Sequence, residues 1–340
     1  MQITSLHRYA VKGLSGDSIK SVALQQGDGT FEDDRRFALL YDDNGDRNNF
    51  DQNDPQWLHK DNFLCAFTAP ELLATLRTEY KVEANYGRRV LTVWSRHGNN
   101  KQAPLLVADL ACQAGRDETS KFFSDLSGKK VVCVCARSDV TKSSTGKDKH
   151  DGSSGRVKSQ LSGKHTHQFG NTSSGVKNNN GDTRTIHIVN SNTVKQFSNA
   201  IQHDIEQEHK EGIDGHENEF ESIRLNPTRF RPNVVVDGLE PWSEFDLIGK
   251  TIEVVSNQDN DAEGYGTKST PLRFRITSRT VRCAGIGVDP LQPEWGVIDV
   301  PKLLTKHFPQ HGPYLGIYAV VDDCSCGSIC VGETFRVLDK

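Results

Sequence analysis

A low-complexity segment at residues 138–182 divides this 340-residue chain into two parts. Ser, Thr, Gly and Asn fill 24 of its 45 positions, and only five positions hold an aliphatic or aromatic residue. Such a composition buries too little apolar surface to offset the entropy that is lost on ordering. We therefore predict a flexible insertion between an N-terminal domain at residues 1–137 and a C-terminal domain at residues 183–340.

The chain has 41 Lys and Arg and 45 Asp and Glu, which gives a net charge of -4. Such a charge provides no general attraction for nucleic acid or anionic lipid. The seven cations of the insertion are scattered, and it has one aromatic residue that could stack on a base. No apolar run approaches the roughly 18 residues that span a bilayer, and no signal sequence is recognisable. We expect a cytoplasmic protein with neither a nucleic-acid nor a membrane partner.

Short β-rich runs dominate both parts of the chain, and turn residues separate them. In the N-terminal part they predict strands at 1–9, 19–24, 36–41, 90–94 and 130–135, with helices at 71–77 and 117–126. In the C-terminal part they predict strands at 185–189, 234–236, 251–255, 272–277, 315–321 and 329–338, with a helix near 300–308. A second polar insertion occupies 256–270. The fold class is α+β and predominantly β, with an N-terminal β-barrel-like domain and a C-terminal β-barrel domain with flanking helices.

One of these flanking helices has a clear apolar face. It begins after Asn190, and its Val194, Phe197, Ile201 and Ile205 follow one another at spacings of three, four and four. This spacing places all four side chains on one side of an α-helix. We predict that this side is buried.

Cys283 is the cysteine with the most reactive context among eight that we expect to be reduced. It leaves a strand in the sequence VRCAGIGVDP at 281–290. The nearby Arg279 and Arg282 favour a thiolate, which is the form that binds a metal or attacks an electrophile. Taken alone, however, a lone cysteine at a strand end is more often a buried structural residue.

A second cationic segment, RFRPN at 229–233, places two arginines in a turn stiffened by proline. Guanidinium groups in such a turn suit bidentate binding of a phosphate. Further cations lie in YAVKG at 9–13 and DDRRF at 33–37. Each segment by itself is typical of solvated loop charge.

The cysteines near the C-terminus have the spacing C-x-C-x3-C, at Cys324, Cys326 and Cys330. This spacing fits neither a plant-type iron-sulfur cluster nor the CxxC pair of a structural zinc site, even with His307 and His311 as further ligands. We interpret the segment as a strand and turn with reduced thiols. Dinucleotide-binding, P-loop and nucleophile-elbow motifs are also missing from the sequence.

In combination these segments resemble the MOSC family, which is named after the C-terminal domain of molybdenum cofactor sulfurase. The segments, in order, are YAVKG, DRRF, RFRPN, Arg282-Cys283 with VDP at 288–290, GIY at 316–318 and VGE at 331–333. The chain is most similar to the two-part members, the mitochondrial amidoxime-reducing components and their bacterial relatives. Those members place an N-terminal β-barrel domain before the MOSC domain.

The resemblance implies a molybdenum site with molybdopterin, the molybdenum cofactor. It implies that Cys283 is both the metal ligand and the catalytic residue. Lys12, Arg35 and Arg231 would grip the phosphate of the pterin, and the pocket would be completed by Asp182, Thr183 and Tyr318. The implied reaction is the reduction of N-hydroxylated compounds, with electrons from a separate protein such as a cytochrome b5-like protein or a ferredoxin/flavin reductase.

Two departures and one alternative accompany this resemblance. Gly13 stands where the family's reductases usually have Ser, and Arg184 replaces a smaller residue, so one hydroxyl contact to the cofactor is missing. The alternative is a carrier that delivers molybdenum cofactor, or sulfur held as a Cys283 persulfide, without turning over a small substrate. Both hypotheses use the same cysteine.

Overall fold

The computed structural model describes most of the chain, as residues 1–24, 30–42, 60–96, 103–135, 185–210, 224–255, 271–289, 296–322 and 325–338. Both predicted insertions, 138–182 and 256–270, lie outside the described residues. So do Asp182, Thr183 and Cys324.

Strands outnumber helices in the described part of the chain. The strands are β1 Gln2–Arg8, β2 Asp17–Ile19, β3 Ser21–Leu24, β4 Phe37–Tyr41, β5 Leu76–Glu83, β6 Arg88–Ser95, β7 Leu106–Asp109, β8 Val131–Cys135, β9 Ile186–Asn190, β10 Val234–Asp237, β11 Thr251–Val255, β12 Arg273–Val281, β13 Tyr314–Val321, β14 Gly327–Cys330 and β15 Thr334–Leu338. The helices are α1 Pro70–Ala74, α2 Gln113–Ser127, α3 Ser191–Lys210 and α4 Val300–His307. The predicted fold class, α+β and predominantly β, is confirmed.

Seven of these strands close into a barrel. Their order is β10, β9, β13, β12, β11, β15 and β1, and β1 pairs back to β10. β9 and β10 run parallel, whereas the other neighbours are antiparallel. Closure pairs every barrel strand on both sides, which removes free sheet edges. The first strand of the chain is therefore part of the C-terminal barrel.

α3 covers one side of the barrel with the apolar face that its sequence predicts. Val194, Phe197 and Ile201 are buried in the barrel core. The ring centroid of Phe197 lies 6.5 Å from that of Phe230 and 6.2 Å from that of Phe308. The helix thus supports the turn that precedes β10. No helix among the described residues is long and apolar enough to cross a membrane.

Of the remaining described strands, β2 pairs with β1 beside the barrel, and the others form small sheets. In the N-terminal part, β4 pairs with β8, and β5, β6 and β7 form a three-stranded antiparallel sheet. α2 packs on them through the fully buried Phe123. Where the sequence predicted a barrel-like arrangement, the described strands form two separate antiparallel sheets.

Several predicted boundaries differ from the structure. α1 ends at Ala74, and β5 begins at Leu76, inside the helix that the sequence predicted at 71–77. β5 buries Leu76, Thr78 and Tyr80 at a period of two, a strand pattern that short-range helix propensity obscured. The single strand predicted at 329–338 is two strands, because Gly332 between them adopts φ +93°.

The described chain divides into two compact units that do not follow sequence order. The barrel unit contains Met1–His7, Ser18–Phe31 and Ile186–Lys340, and the N-terminal unit contains Arg8–Asp17 and Glu32–Thr185. The division predicted from sequence, at 137 and 183, stays a prediction. The structure adds that the start of the chain contributes to both units, with Met1–His7 and Ser18–Phe31 in the barrel unit and Arg8–Asp17 in the N-terminal unit.

Asp17 is a buried carboxyl group of the N-terminal unit. Its Oδ1 accepts a hydrogen bond from the Tyr80 N–H at 2.6 Å, and its Oδ2 lies 3.7 Å from Arg8 Nε. Burial raises the pKa of Asp17 to about 6, although the hydrogen bond from Tyr80 and the charge of Arg8 oppose the shift. Because the pKa is higher in the folded state, this group stabilises the fold at acidic pH, and that contribution is lost as the pH rises through about 6.

The variant Asp17→Asn should gain stability relative to the wild type when the pH rises from 5 to 7.5. The asparagine keeps an acceptor for the Tyr80 N–H but cannot ionise, and we expect a relative gain of about 1 kcal/mol. Urea unfolding of both proteins at both pH values measures it. Asp125→Asn, at an exposed position, serves as the control. Parallel pH profiles for the wild type and Asp17→Asn would contradict the assignment.

Candidate cofactor site

Cys283 is exposed at the point where β12 ends. It has extended backbone angles, φ -135° and ψ 171°, and directly precedes a one-turn 3-10 helix at Ala284–Ile286. Side chains alternate between the two faces of a strand. Val281 and Cys283 therefore face outward, whereas Arg282 between them is buried.

We call residues 281–289, which contain Cys283, the cysteine segment. Arg282 reaches from this segment into the RFRPN turn. Its Nη2 donates to the Phe230 carbonyl at 2.7 Å, and its Nη1 lies 3.4 Å from His187 Nε2. Its guanidinium also lies over the Phe230 ring, 5.5 Å from the centroid. Arg279, the other cation near the cysteine, lies over the Phe245 ring at 4.4 Å. The sequence predicted that both guanidiniums lie beside the Cys283 thiol. In the structure they contact Phe230, His187 and Phe245.

Arg229 makes the reciprocal connection, from the RFRPN turn to the cysteine segment. It is 1% exposed, its Nε donates to the Ile286 carbonyl at 3.0 Å, and its Nη2 donates to the Gly287 carbonyl. Its Nη1 lies 3.5 Å from Oδ2 of Asp289, a fully buried carboxylate. Burial lowers the pKa of Arg229, and the charge of Asp289 opposes that shift. Arg229 is therefore a structural residue, and Asp289 of the VDP motif is its counterion.

The turn itself places Arg231 in a left-handed conformation. Asn226 Oδ1 accepts the Thr228 N–H at 2.9 Å, which begins a 3-10 turn at Pro227–Phe230. Arg231 follows with φ 55° and ψ 49°, and its N–H donates to the Thr228 carbonyl at 2.9 Å. A non-glycine residue rarely adopts these angles, so the surrounding turn must hold it there. The side chain of Arg231 is half-buried and remains a candidate for binding an anion.

Asn233, the last residue of RFRPN, joins the turn to two barrel strands. Its Oδ1 accepts the His187 N–H at 3.1 Å, and its Nδ2 donates to the His7 carbonyl at 3.3 Å. Its own N–H donates to the His187 carbonyl at 2.8 Å, and its carbonyl accepts the His7 N–H at 2.8 Å. The side chain is fully buried. Asn233 therefore fixes the turn between β9 and β1.

His187 is a site residue that sequence reasoning missed. It is 2% exposed on β9, with Nδ1 3.3 Å from the Arg231 carbonyl and Nε2 3.4 Å from Arg282 Nη1. Because a guanidinium can only donate, Nε2 accepts from Arg282, and Nδ1–H donates a hydrogen bond to the Arg231 carbonyl oxygen. This arrangement requires a neutral imidazole. The available signal was one histidine within the otherwise apolar strand TIHIV at 185–189.

Tyr318 and Gly316 complete the surroundings of His187. The Tyr318 ring lies 5.5 Å from the imidazole, and Tyr318 is 3% exposed. Gly316 has φ +81°, and a Cβ there would lie 2.7 Å from His187 Nε2. The glycine of the GIY motif is therefore needed for space as well as for its backbone angle. Tyr318 therefore packs against His187, which in turn contacts Arg231 and Arg282.

Lys12 and Arg35 lie in the N-terminal unit, on two segments that run side by side. The Lys12 N–H donates to the Phe37 carbonyl at 2.8 Å, and the Arg35 N–H donates to the Tyr9 carbonyl at 2.7 Å. Lys12 Nζ lies 5.3 Å from the Phe63 ring centroid. The structure thus places these two predicted site residues on neighbouring, hydrogen-bonded segments. Their convergence with Arg231 on one phosphate stays a prediction.

Two aspartates fix the DDRRF turn. Asp34 pairs with Arg35 and accepts the Tyr9 N–H at 2.8 Å. Asp33 pairs with Arg36 at 2.6 Å and also accepts from Arg89 Nε at 2.9 Å and from the Tyr80 hydroxyl at 2.8 Å. Burial, followed by the charge of Asp33, raises the pKa of Tyr80 far above its ordinary range. Tyr80 therefore stays a hydrogen-bond donor, and the turn holds Arg35 at φ 54°.

The glycine at position 13, where the family's reductases usually have serine, has a steric explanation. Its φ is +87°, and a Cβ at this position would lie 2.6 Å from the Cα of Cys65. Backbone atoms cannot give way as the end of a side chain can. The structure therefore excludes the usual serine here without a shift of the neighbouring chain.

The histidines considered as zinc ligands have other contacts. His311 stacks on Trp242 at 4.6 Å between ring centroids, and His307 Nε2 lies 2.9 Å from Asp204 Oδ2. Cys326 and Cys330 are free thiols, and Cys324 is not among the described residues. Asp182 and Thr183, two predicted pocket residues, also lie outside the described part.

The sequence profile of the MOSC domain matches residues 165–336, just over half of the chain. The chain belongs to the MOSC family. A comparison with curated proteins finds no match. The matched MOSC span includes Arg231, Cys283 and Tyr318, whereas Lys12 and Arg35 precede it. It also includes His187, Arg229 and Asp289, which the structure connects to the cysteine segment.

The MOSC domain is associated with the binding of molybdenum cofactor, and the residues around Cys283 fit that group. Among the described residues, no three His, Cys, Asp or Glu side chains are grouped so as to hold a metal ion. Molybdenum carried by a pterin dithiolene already has sulfur ligands, and Cys283 could add one ligand from the protein. A soft, exposed thiolate is a suitable protein ligand for such a metal.

Loss of the Arg229 contacts should destabilise the MOSC domain strongly. Arg229→Met leaves Asp289 buried without its counterion, and we expect a loss of about 3–5 kcal/mol in unfolding free energy. Arg229→Lys keeps the charge and should lose less. Arg88→Lys, at a half-exposed ion pair, should change stability by less than about 0.5 kcal/mol. Urea unfolding measures all three, and a fully stable Arg229→Met protein would contradict this role.

A serine at position 13, as in the family's reductases, should lower the stability of this protein and should not improve cofactor retention. Gly13→Ser combines left-handed strain with the contact to Cys65, and we expect a loss of about 2–4 kcal/mol. Gly87→Ser is the matched control, since Gly87 has φ +64° with open space around it. The control should lose only about 1 kcal/mol. Thermal unfolding and molybdenum content measure both effects, and a stable Gly13→Ser protein with more cofactor would refute the steric explanation.

Proposed function

We propose that this protein binds molybdenum cofactor through Cys283 and reduces N-hydroxylated compounds, as the amidoxime-reducing components that it resembles do. The observation that supports this most is the position of Cys283. Its thiol is exposed at the end of a barrel strand, while the residues on either side of it are held by buried contacts. Such a thiol is accessible to a bulky group and is fixed in place.

The chain's own residues hold and neutralise the cofactor in this proposal. Cys283 supplies the protein ligand to the metal and so acts as the catalytic residue. Lys12, Arg35 and Arg231 would neutralise the pterin phosphate, and Asp182, Thr183 and Tyr318 would complete the set of cofactor-binding residues. The bound cofactor supplies two-electron redox chemistry and a site for the oxygen atom, and the protein contributes orientation, charge and access.

The overall reaction fixes what else must reach the site. Reduction of an N-hydroxyl group to N–H consumes two electrons and two protons and releases one water molecule. Solvent supplies the protons. The electrons must come from a reduced carrier protein, for which a cytochrome b5-like protein and a ferredoxin with its flavin reductase are the two candidates.

A carrier function is the second candidate, and the exposure of Cys283 favours it. An exposed thiol is open to a partner protein as well as to a small substrate. In that case the protein would bind the cofactor, or hold sulfur as a persulfide, and pass it on without turnover. Molybdenum content together with turnover separates the two functions.

Cys283→Ala should abolish both molybdenum retention and reductase activity. The protein is purified from a host that makes the cofactor, and bound molybdenum, pterin and the reduction of an aryl amidoxime by reduced methyl viologen are measured. Stability should change by no more than about 1 kcal/mol. Cys326→Ala, another exposed cysteine of the barrel unit, should match the wild type.

Three results would change the conclusion. Full activity in Cys283→Ala would show that the site assignment is wrong. Wild-type protein without molybdenum would contradict both the reductase and the cofactor carrier. Bound cofactor without turnover would contradict the reductase and support the carrier.

A further inference from the structure

The imidazole of His187 lies between a group that can only donate a hydrogen bond and a group that can only accept one. Its Nε2 is 3.4 Å from Arg282 Nη1, and its Nδ1 is 3.3 Å from the carbonyl oxygen of Arg231. Only the neutral tautomer with its proton on Nδ1 makes both bonds. A second proton, on Nε2, would point at the guanidinium and place two positive charges against each other.

The elements beside β9 hold His187 in this position. Tyr318 of β13 is its cross-strand partner, and the two ring centroids are 5.5 Å apart. Asn233, before β10, accepts the His187 N–H and donates to the His187 carbonyl. On the outside of the barrel, α3 contributes apolar side chains, which are Val194, Phe197 and Ile201. The charged and titratable groups that these contacts bring to the imidazole are therefore Arg282, Arg231 and Tyr318.

Arg282 connects the imidazole to the candidate metal ligand, because it directly precedes Cys283 in the chain. Besides the contact with His187, its Nη2 donates to the Phe230 carbonyl at 2.7 Å, and its N–H donates to the Pro313 carbonyl at 2.8 Å. A proton on His187 Nε2 would remove one acceptor of this buried guanidinium and put a cation in its place. The cysteine segment would then lose an anchor next to Cys283.

Protonation of His187 is therefore coupled to opening of the cysteine segment. In an open state, with Arg282 moved away, the freed imidazole takes up a proton below about pH 6.5, the ordinary value for histidine. The closed state keeps its two hydrogen bonds only without that proton. Acid thus favours the open state, and its population rises by up to about tenfold for each pH unit below about 6.5.

We propose that His187 is a positioning residue for Cys283 and Arg231, and that its protonation opens the cysteine segment and releases the cofactor in acid. The inference rests on the proposed binding of the cofactor through Cys283. His187 acts through Arg282 on one side and through the carbonyl of Arg231 on the other, so it has no need to touch the cofactor. Arg231 is the candidate anion-binding residue that the turn holds at φ 55°. One neutral side chain thus connects both candidate cofactor contacts of the barrel unit.

Another buried histidine of the barrel unit, His7, has a different environment. Its Nε2 lies 2.9 Å from the Ser5 hydroxyl, and burial lowers the pKa of His7 to about 4. Its protonation at pH 5 is therefore slight, and its ring contacts a hydroxyl group in place of an arginine. Opening of the cysteine segment alone leaves the bond between His7 and Ser5 in place. The acid response of the cysteine segment is thus assigned to His187.

Hydrogen exchange of peptides that cover 281–289, followed by mass spectrometry on the full-length protein without cofactor, measures the opening. After correction for the chemical exchange rate, wild-type protection should fall by about tenfold or more between pH 6.5 and 5. His187→Gln has an amide that can accept from Arg282 and donate to the Arg231 carbonyl but cannot ionise, so its protection should not depend on pH. His203→Gln, the same change at an exposed position of α3, should follow the wild type.

Molybdenum retention by the holoprotein is the second readout. The wild type and His187→Gln are dialysed at pH 7.5 and at pH 5, and bound molybdenum is measured over time. The wild type should lose molybdenum roughly tenfold faster at pH 5 than at pH 7.5, in proportion to the open population. His187→Gln should lose it at the same rate at both pH values.

The two readouts separate failure of the inference from failure of the proposed function. Equal acid responses of the wild type and His187→Gln in hydrogen exchange would overturn the role of His187. So would wild-type protection at 281–289 that stays constant from pH 6.5 to 5, a result that needs no variant, or an equal loss of protection in β11, which would show global unfolding. A wild type that never holds molybdenum but shows the expected exchange would contradict only the proposed function. Equal acid release of molybdenum from both proteins would overturn release through His187.

Discussion

Two buried arginines, Arg229 and Arg282, hold the candidate site together by crossing between the same two segments. Arg229 leaves the RFRPN turn and ends on the carbonyls of Ile286 and Gly287 and on Asp289. Arg282 leaves the cysteine segment and ends on the carbonyl of Phe230. A guanidinium can be buried only if its charge and its N–H groups find partners, so each segment must keep its backbone where the other arginine needs it. The position of Cys283 follows from this mutual requirement.

A second layer of contacts connects that pair to the barrel. His187 bridges Arg231 and Arg282, and Asn233 bonds both β9 and β1. Because His187 and Asn233 are buried, a displacement of β9 or β1 would also displace the turn that contains Arg231. The neutral histidine is the one member whose protonation would place two cations against each other. The barrel thus fixes the spacing between a candidate anion-binding arginine and a candidate metal ligand.

Sequence reasoning found the parts of the site that have local signals. The period of two in the strands and the three-four-four spacing of α3 predicted most of the barrel, and short motifs identified Cys283, Arg231, Lys12 and Arg35. It did not find that Asp289 is the buried partner of Arg229. These two residues are sixty positions apart in sequence and come into contact only in the folded state. It also placed Arg279 and Arg282 beside the thiol, whereas Arg282 is buried on the opposite side of the strand from Cys283 and Arg279 lies over the Phe245 ring. β5 was missed because its sequence LRTEYKVE also suits a helix.

The most direct test of the account is molybdenum K-edge X-ray absorption on the purified wild-type protein and on Cys283→Ser. If Cys283 is the protein ligand, the wild-type spectrum shows one more sulfur ligand at molybdenum than the variant reconstituted with the same cofactor. A matching control, Cys326→Ser, should give the wild-type spectrum. The same number of sulfur ligands with and without the Cys283 thiol would contradict the central claim that the crossed arginines position this cysteine to bind the metal.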